Sequence, residues 1–105
     1  MTARTLDPAV TVFVAAVNAG DRGAFFAVLT DDATMSDDGT DYGLAPWAER
    51  EIFSADGRME IETVSADGRS LVATYTNSTW GSMRTRWTFT VTDDKISHFE
   101  TGQEV

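Results

Sequence analysis

The side chains with the clearest chemical potential are one carboxylate and a set of large rings. Asp37 ends the segment Ala33–Asp37, in which Met35 and Asp37 share one face of a strand and Thr34 and Ser36 the other. A carboxylate facing an apolar pocket has its pKa raised toward the range useful for general acid or base work. The plainer alternative is that Asp37 opens an Asp-Asp-Gly turn in water. Tyr42, Trp47, Tyr75, Trp80, Trp87, Phe89 and Phe99 are many large rings for a short chain. Such rings can line a ligand cavity or fill it. Asn77 shares strand parity with Tyr75 and can hydrogen-bond a ligand. It also opens an Asn-Ser-Thr glycosylation pattern, which is discounted in a chain expected in the cytoplasm.

Other chemistries are excluded or weakened by residue type. The chain has no cysteine, which removes disulfides, thiolate catalysis and thiolate metal sites. Its single histidine, His98, rules out a multi-histidine metal site within one chain. His98 lies between Ser97 and Phe99 and is expected on the outer face of its strand. The stretch Asp37-Asp38-Gly39-Thr40-Asp41 does not fit the calcium-loop pattern and reads as a turn. No metal and no cofactor are expected. The net charge is −9, with one lysine and seven scattered arginines, which disfavours nucleic acid as a partner. No apolar run approaches the roughly 20 residues that cross a bilayer, and the first ten residues lack a signal-peptide core. The expectation is a cytoplasmic protein with no membrane partner.

The elements that must position these groups follow from local signals. Asp7-Pro8 starts a helix whose apolar stripe is Val10, Phe13, Val14 and Val17, and Asn18-Ala19-Gly20 ends it. Asp21 caps a second helix over about residues 22–29, closed by Thr30-Asp31-Asp32. A short strand over 33–37 and a loop over 38–43 precede a third helix from Pro46 to about Phe53, carrying Trp47 and Ile52. From Arg58 the period changes to two, with Met59, Ile61 and Thr63 alternating with Glu60 and Glu62. Asp67-Gly68 signals a hairpin. Strands over 70–80 and 83–92 are expected, with Gly81-Ser82 between them, then a last strand over 95–101 and a loose tail over 103–105. The pentapeptide Ser-Ala-Asp-Gly-Arg occurs at 54–58 and 65–69 and reads as turn chemistry used twice. Segregated helices and strands predict α+β, and 105 residues make one domain, 1–105.

The segment FVAAVNAGDRGAFFAVLTDDATMSDD, Phe13 to Asp38, resembles the opening of the NTF2-like superfamily. That group includes ketosteroid isomerase-like and SnoaL-like proteins and many of unknown function. The resemblance spans nearly the whole chain in element order. It implies an α+β, cystatin-like cone, with three N-terminal helices packed on a curved, antiparallel (mixed) sheet around one pocket. It implies a pocket lined by Phe13, Val17, Met35, Tyr42, Trp47, Met59, Ile61, Tyr75, Asn77, Trp87, Phe89 and Phe99. It places Asp37 where isomerase-like members carry a proton-shuttling aspartate.

The rest of that isomerase machinery is missing. Phe13 stands where those members have a tyrosine hydroxyl, and Trp87 approximately where they have a protonated aspartic acid. Phe13 offers no donor to a developing oxyanion. The Asp-Arg-Asp trio of limonene-epoxide-hydrolase-like members cannot be assembled, because Arg84 and Arg86 have the opposite parity to Trp87 and Phe89. The resemblance also implies a homodimer through the outer sheet face, with Thr74, Thr76, Ser78 and Trp80 in one row and Arg84, Arg86, Thr88 and Thr90 in another. Three functions stay open: binding of a small apolar ligand, a SnoaL-like isomerase or cyclase using Asp37, or a non-catalytic dimerisation or interaction domain whose cone is plugged by tryptophan.

Overall fold

The computed structural model describes residues 5–104. Met1–Arg4, and Val105 at the end of the expected tail, lie outside the described residues. Helix α1 runs Pro8–Ala19, the span that its end signals predict. The Asp7 carboxylate accepts from the Ala9 amide at 2.9 Å, and Gly20 closes the helix at φ 65°, a left-handed conformation that suits glycine. Val10, Phe13, Val14 and Val17 are buried along one side. Helix α2 spans Arg22–Ala27 and is capped by Asp21 through the Ala24 amide at 3.0 Å.

From here the structure departs from the sequence expectation. Helix α2 stops two residues early, and strand β1 already begins at Leu29 and runs to Asp37. The cause is tertiary: the Ile96 amide donates to the Val28 carbonyl at 2.8 Å, and Leu29 pairs with Ile96. Thr30-Asp31-Asp32 therefore lies in an irregular stretch of β1, where the register shifts between Leu29 and Thr34. The expected loop over 38–43 is a hairpin instead. Asp37 pairs with Thr40, and Asp38 and Gly39 turn the chain at φ 49° and 82° into strand β2, Thr40–Tyr42.

Helix α3 spans Leu44–Ala48, two residues ahead of Pro46, and continues into a π-helical turn, Glu49–Phe53. Strands β3 (Arg58–Val64), β4 (Ser70–Asn77), β5 (Gly81–Thr92) and β6 (Lys95–Gln103) complete the chain. The order across the sheet is β2-β1-β6-β5-β4-β3, antiparallel throughout except for the parallel pair β1–β6. This is an α+β fold with its helices on one face of a curved, mixed sheet. Strand β4 ends three residues earlier than expected, and Gly81-Ser82 belongs to β5, not to the turn. The turn is Ser78–Trp80, formed because the Asn77 side chain accepts from the Thr79 and Trp80 amides at 3.1 and 2.7 Å. Strand β6 runs two residues past Thr101, since Gly102 and Gln103 still pair with Arg86 and Thr85.

The core lies between the helices and the inner sheet face. Phe13 is its centre, with ring centroids of Phe25, Phe89, Phe99 and Trp87 at 5.0, 5.0, 5.2 and 6.0 Å. The outer face carries Thr74, Thr76, Arg84, Arg86, Thr88 and Thr90, with Arg84 paired to Glu62 at 3.2 Å. Trp80 is not on that face. The Asn77 turn breaks the strand alternation that placed it there, and its indole bonds to Glu51 instead.

Candidate functional site

The described residues enclose a cavity of about 450 Å³ where the end of β1, the π turn and the β4–β5 hairpin meet. Asp37 sits on its wall, half-buried. The Trp47 indole N–H donates to its Oδ2 at 3.2 Å. Burial raises the Asp37 pKa above the ordinary carboxylate value. The Trp47 hydrogen bond opposes that rise, the Asp38 and Glu51 charges add to it, and Arg50 works against it. The Trp47, Tyr75 and Trp87 rings form the floor, buried and in contact, with Trp87 centroids 6.4 Å from Trp47 and 5.9 Å from Tyr75.

The π turn builds one edge of the site. Its wider winding, with the Ser54 amide bonded to the Glu49 carbonyl at 2.8 Å, leaves the Glu51 carbonyl to groups outside the helix. That carbonyl accepts from the Tyr75 hydroxyl at 2.7 Å and from Asn77 Nδ2 at 3.0 Å. The Glu51 side chain accepts from Trp80 Nε1 at 3.0 Å on one oxygen and from Arg50 Nε at 3.2 Å on the other. The Arg50 guanidinium lies 6.0 Å from the centre of the Tyr42 ring. On the opposite side, Asp38 Oδ1 accepts from the Gln103 amide at 3.0 Å, beside Gly102. A Cβ on Gly102 would fall 2.6 Å from that oxygen, so a larger residue there must displace the Asp38 carboxylate from the Gln103 amide.

Most donors around the cavity are already engaged. Tyr75 donates to Glu51, Trp47 to Asp37, and the Trp87 indole to Thr85 Oγ1 at 2.8 Å. Burial also pushes the Tyr75 hydroxyl pKa upward, so it stays protonated. Among the described residues the Tyr42 hydroxyl has no hydrogen-bond partner, and Tyr42 is exposed at the rim. No three carboxylate or histidine side chains among the described residues converge as metal ligands.

No protein-family model and no curated protein matches the sequence. Solved structures do match in shape. A protein of unknown function from Cytophaga hutchinsonii, described as NTF2-like, superposes at a TM-score of 0.74 with 12% identity, covering 98% of this chain and 93% of that one. The chain has the NTF2-like fold. A candidate polyketide cyclase from Sinorhizobium meliloti matches at 0.73 with 20% identity, over 89% of this chain and 92% of that one. A computationally designed 17-OHP binder matches at 0.70 with 14% identity, over 92% and 90%. Identities this low establish the fold and leave the ligand open.

Within this NTF2-like fold the twelve side chains expected around one pocket divide into two groups. Tyr42, Trp47, Tyr75, Asn77 and Trp87 line the cavity together with Asp37. Phe13, Val17, Met35, Met59, Phe89 and Phe99 do not, because they are buried against one another in the core. Ile61 is half-buried against the same core. The Phe13 ring packs against Phe25, Phe89 and Phe99 and fills that part of the core. His98 stands away from the site with Nδ1 2.7 Å from Thr34 Oγ1, and Arg84 and Arg86 bond to Glu62 and the Gln103 carbonyl. Sequence reasoning missed Asp38, Arg50, Glu51, Met83, Thr85 and the 101–103 stretch. For Asp38, adjacency to Asp37 was an available signal; for Arg50 and Glu51, the π turn that aims them leaves no mark in residue types.

Proposed function

We propose that the protein binds a small, largely apolar molecule in this cavity, with Asp37 accepting a hydrogen bond from the ligand. The observation that carries this reading is the half-buried Asp37 on the wall of a 450 Å³ space floored by Trp47, Tyr75 and Trp87. The volume falls within the roughly 300–1,000 Å³ of ordinary small-molecule sites. That a computationally designed 17-OHP binder has a similar shape supports a small-molecule occupant. The test is titration of 1-naphthylmethanol and 1-methylnaphthalene against intrinsic tryptophan fluorescence. The alcohol should bind more tightly, and Asp37→Leu should erase its advantage. Absence of quenching by either compound rejects the reading.

The second reading is a SnoaL-like isomerase or cyclase in which Asp37 moves a proton. The elevated Asp37 pKa favours it, as does the structural likeness to a candidate polyketide cyclase. It ranks second because Tyr75, Trp47 and Trp87 are committed to internal acceptors, leaving the rim groups Tyr42 and Arg50 as donors opposite the acid. In this reading Asp37→Asn abolishes turnover and retains binding, and unchanged turnover removes it. A homodimer through the outer sheet face stays a proposal from the sequence resemblance. Sedimentation of the protein and of its Arg84→Glu variant tests it.

A further inference from the structure

We infer that the ligand of this cavity is a hydrophobic organic cation, an ammonium group carried on an aromatic or alicyclic body. The inference rests on the small-molecule reading above and names the class of molecule.

The first argument is charge balance. Three of the four charged residues lining the cavity are acids: Asp37, Asp38 and Glu51. The one cation, Arg50, already bonds to Glu51 and lies against the Tyr42 ring. Among the described residues Asp37 forms no ion pair. Among the described residues its Oδ2 receives only a neutral indole N–H at 3.2 Å, and Oδ1 receives no donor. A half-buried carboxylate next to two others of the same sign is stabilised by any cation that reaches it.

The second argument is the nature of the surrounding surface. Tyr42, Trp47, Tyr75, Trp80 and Trp87 all border the same space. Aromatic faces attract cations through the ring quadrupole, tryptophan most strongly, and the attraction grows as the cation loses water. Two of these rings stand open at the mouth, Trp80 at 63% and Tyr42 at 43% exposure. Hydrogen bonds fix Trp80 in place: its indole N–H to Glu51 and its amide to Asn77. An ammonium head beside Asp37 gains from both the carboxylate and the rings, while its apolar body covers the floor. A neutral ligand leaves the Asp37 charge uncompensated, and an anionic one meets three acids against the one arginine already paired to Glu51.

The experiment uses three compounds of nearly equal shape: 1-naphthylmethylammonium, 1-naphthylmethanol and 1-naphthoate. Affinities are read by calorimetry near neutral pH. The ammonium should bind roughly tenfold more tightly than the alcohol, a factor equivalent to about 1.4 kcal/mol, and the carboxylate most weakly. Asp37→Asn should remove most of the ammonium's advantage over the alcohol, and a cooperative thermal unfolding transition of the variant shows separately that it is folded. The advantage should shrink at about 1 M salt, where the screening length falls to ~3 Å. Equal affinities, or a preference for the carboxylate, overturn the cation assignment and leave cavity binding standing. If none of the three binds, both readings fail.

Discussion

The Trp47 indole N–H reaches Asp37 Oδ2 across 3.2 Å, tying the helix that closes the cavity to the acid on its wall. The same ring packs on Trp87 and Phe99 at 6.4 and 5.8 Å. Trp47→Phe keeps an aromatic ring and deletes the donor. Because that hydrogen bond favours the charged carboxylate, the Asp37 pKa should rise further in the variant. Stability should fall by roughly 1–3 kcal/mol from lost volume and ring packing. Carbon-detected NMR titration of the Asp37 carboxyl reads the first effect directly; a downward movement contradicts the assignment.

Asp37→Asn should stabilise the protein near neutral pH. Folded Asp37 holds its proton to a higher pH than the unfolded chain does, so the native state binds more protons between the two values. Its contribution is complete below the ordinary value of 3.8 and declines as pH rises through the folded value. Asparagine carries no such penalty and still offers an oxygen to Trp47. The gain in melting temperature should therefore be present near pH 7 and small below the ordinary value. A variant less stable than the parent at neutral pH would mean that Asp37 is compensated by a partner the geometry does not show.

The legible parts of this fold were those written in local chemistry. Asp7-Pro8 and Gly20 bracket α1 because a cap, a preset φ and a left-handed end need only neighbouring atoms. Alternation likewise brought Asp37 to the inner side of the sheet edge, where it borders the cavity. What stayed hidden depends on distant partners. Leu29 is extended because Ile96, far along the chain, pairs with it. Trp80 faces the cavity because Asn77 turns the chain under it. Whether an apolar residue lines a space or fills it depends on depth: Trp87 and Phe89 alternate onto the same face of β5, yet only Trp87 borders the cavity.

Asn77 should prove more costly to lose than Tyr75. Tyr75→Phe deletes one hydrogen bond, yet the Glu51 carbonyl keeps Asn77 Nδ2, so the cost should be about 0.5–1.5 kcal/mol. Asn77→Ala deletes that donor and also the acceptor for the Thr79 and Trp80 amides, and should cost roughly 2–4 kcal/mol. It should also free Trp80, visible as a loss of anisotropy in its fluorescence once the other two tryptophans are replaced by phenylalanine. Denaturant unfolding ranks the two variants, and a smaller loss for Asn77→Ala would show that the turn holds without its side chain.

Gly57 sets the position of the cavity floor. A Cβ there would overlap the Tyr75 hydroxyl oxygen and approach the ring carbon that bears it at 3.0 Å. On the other side it would meet the Ile52 Cα at 3.1 Å, which is backbone of the π turn and yields less readily than a side-chain end. Gly57→Ala must therefore push the Tyr75 hydroxyl off the Glu51 carbonyl, at a cost of roughly 1–3 kcal/mol by overpacking. Removing the hydroxyl removes the worst overlap. Tyr75→Phe in the Gly57→Ala background should then cost less than in the parent or even stabilise, a coupling of about 0.5 kcal/mol or more between the two sites. Strict additivity in the double-mutant cycle would show that the strain relaxes through the Ile52 backbone instead, and affinity for 1-naphthylmethanol would then change with Gly57→Ala alone.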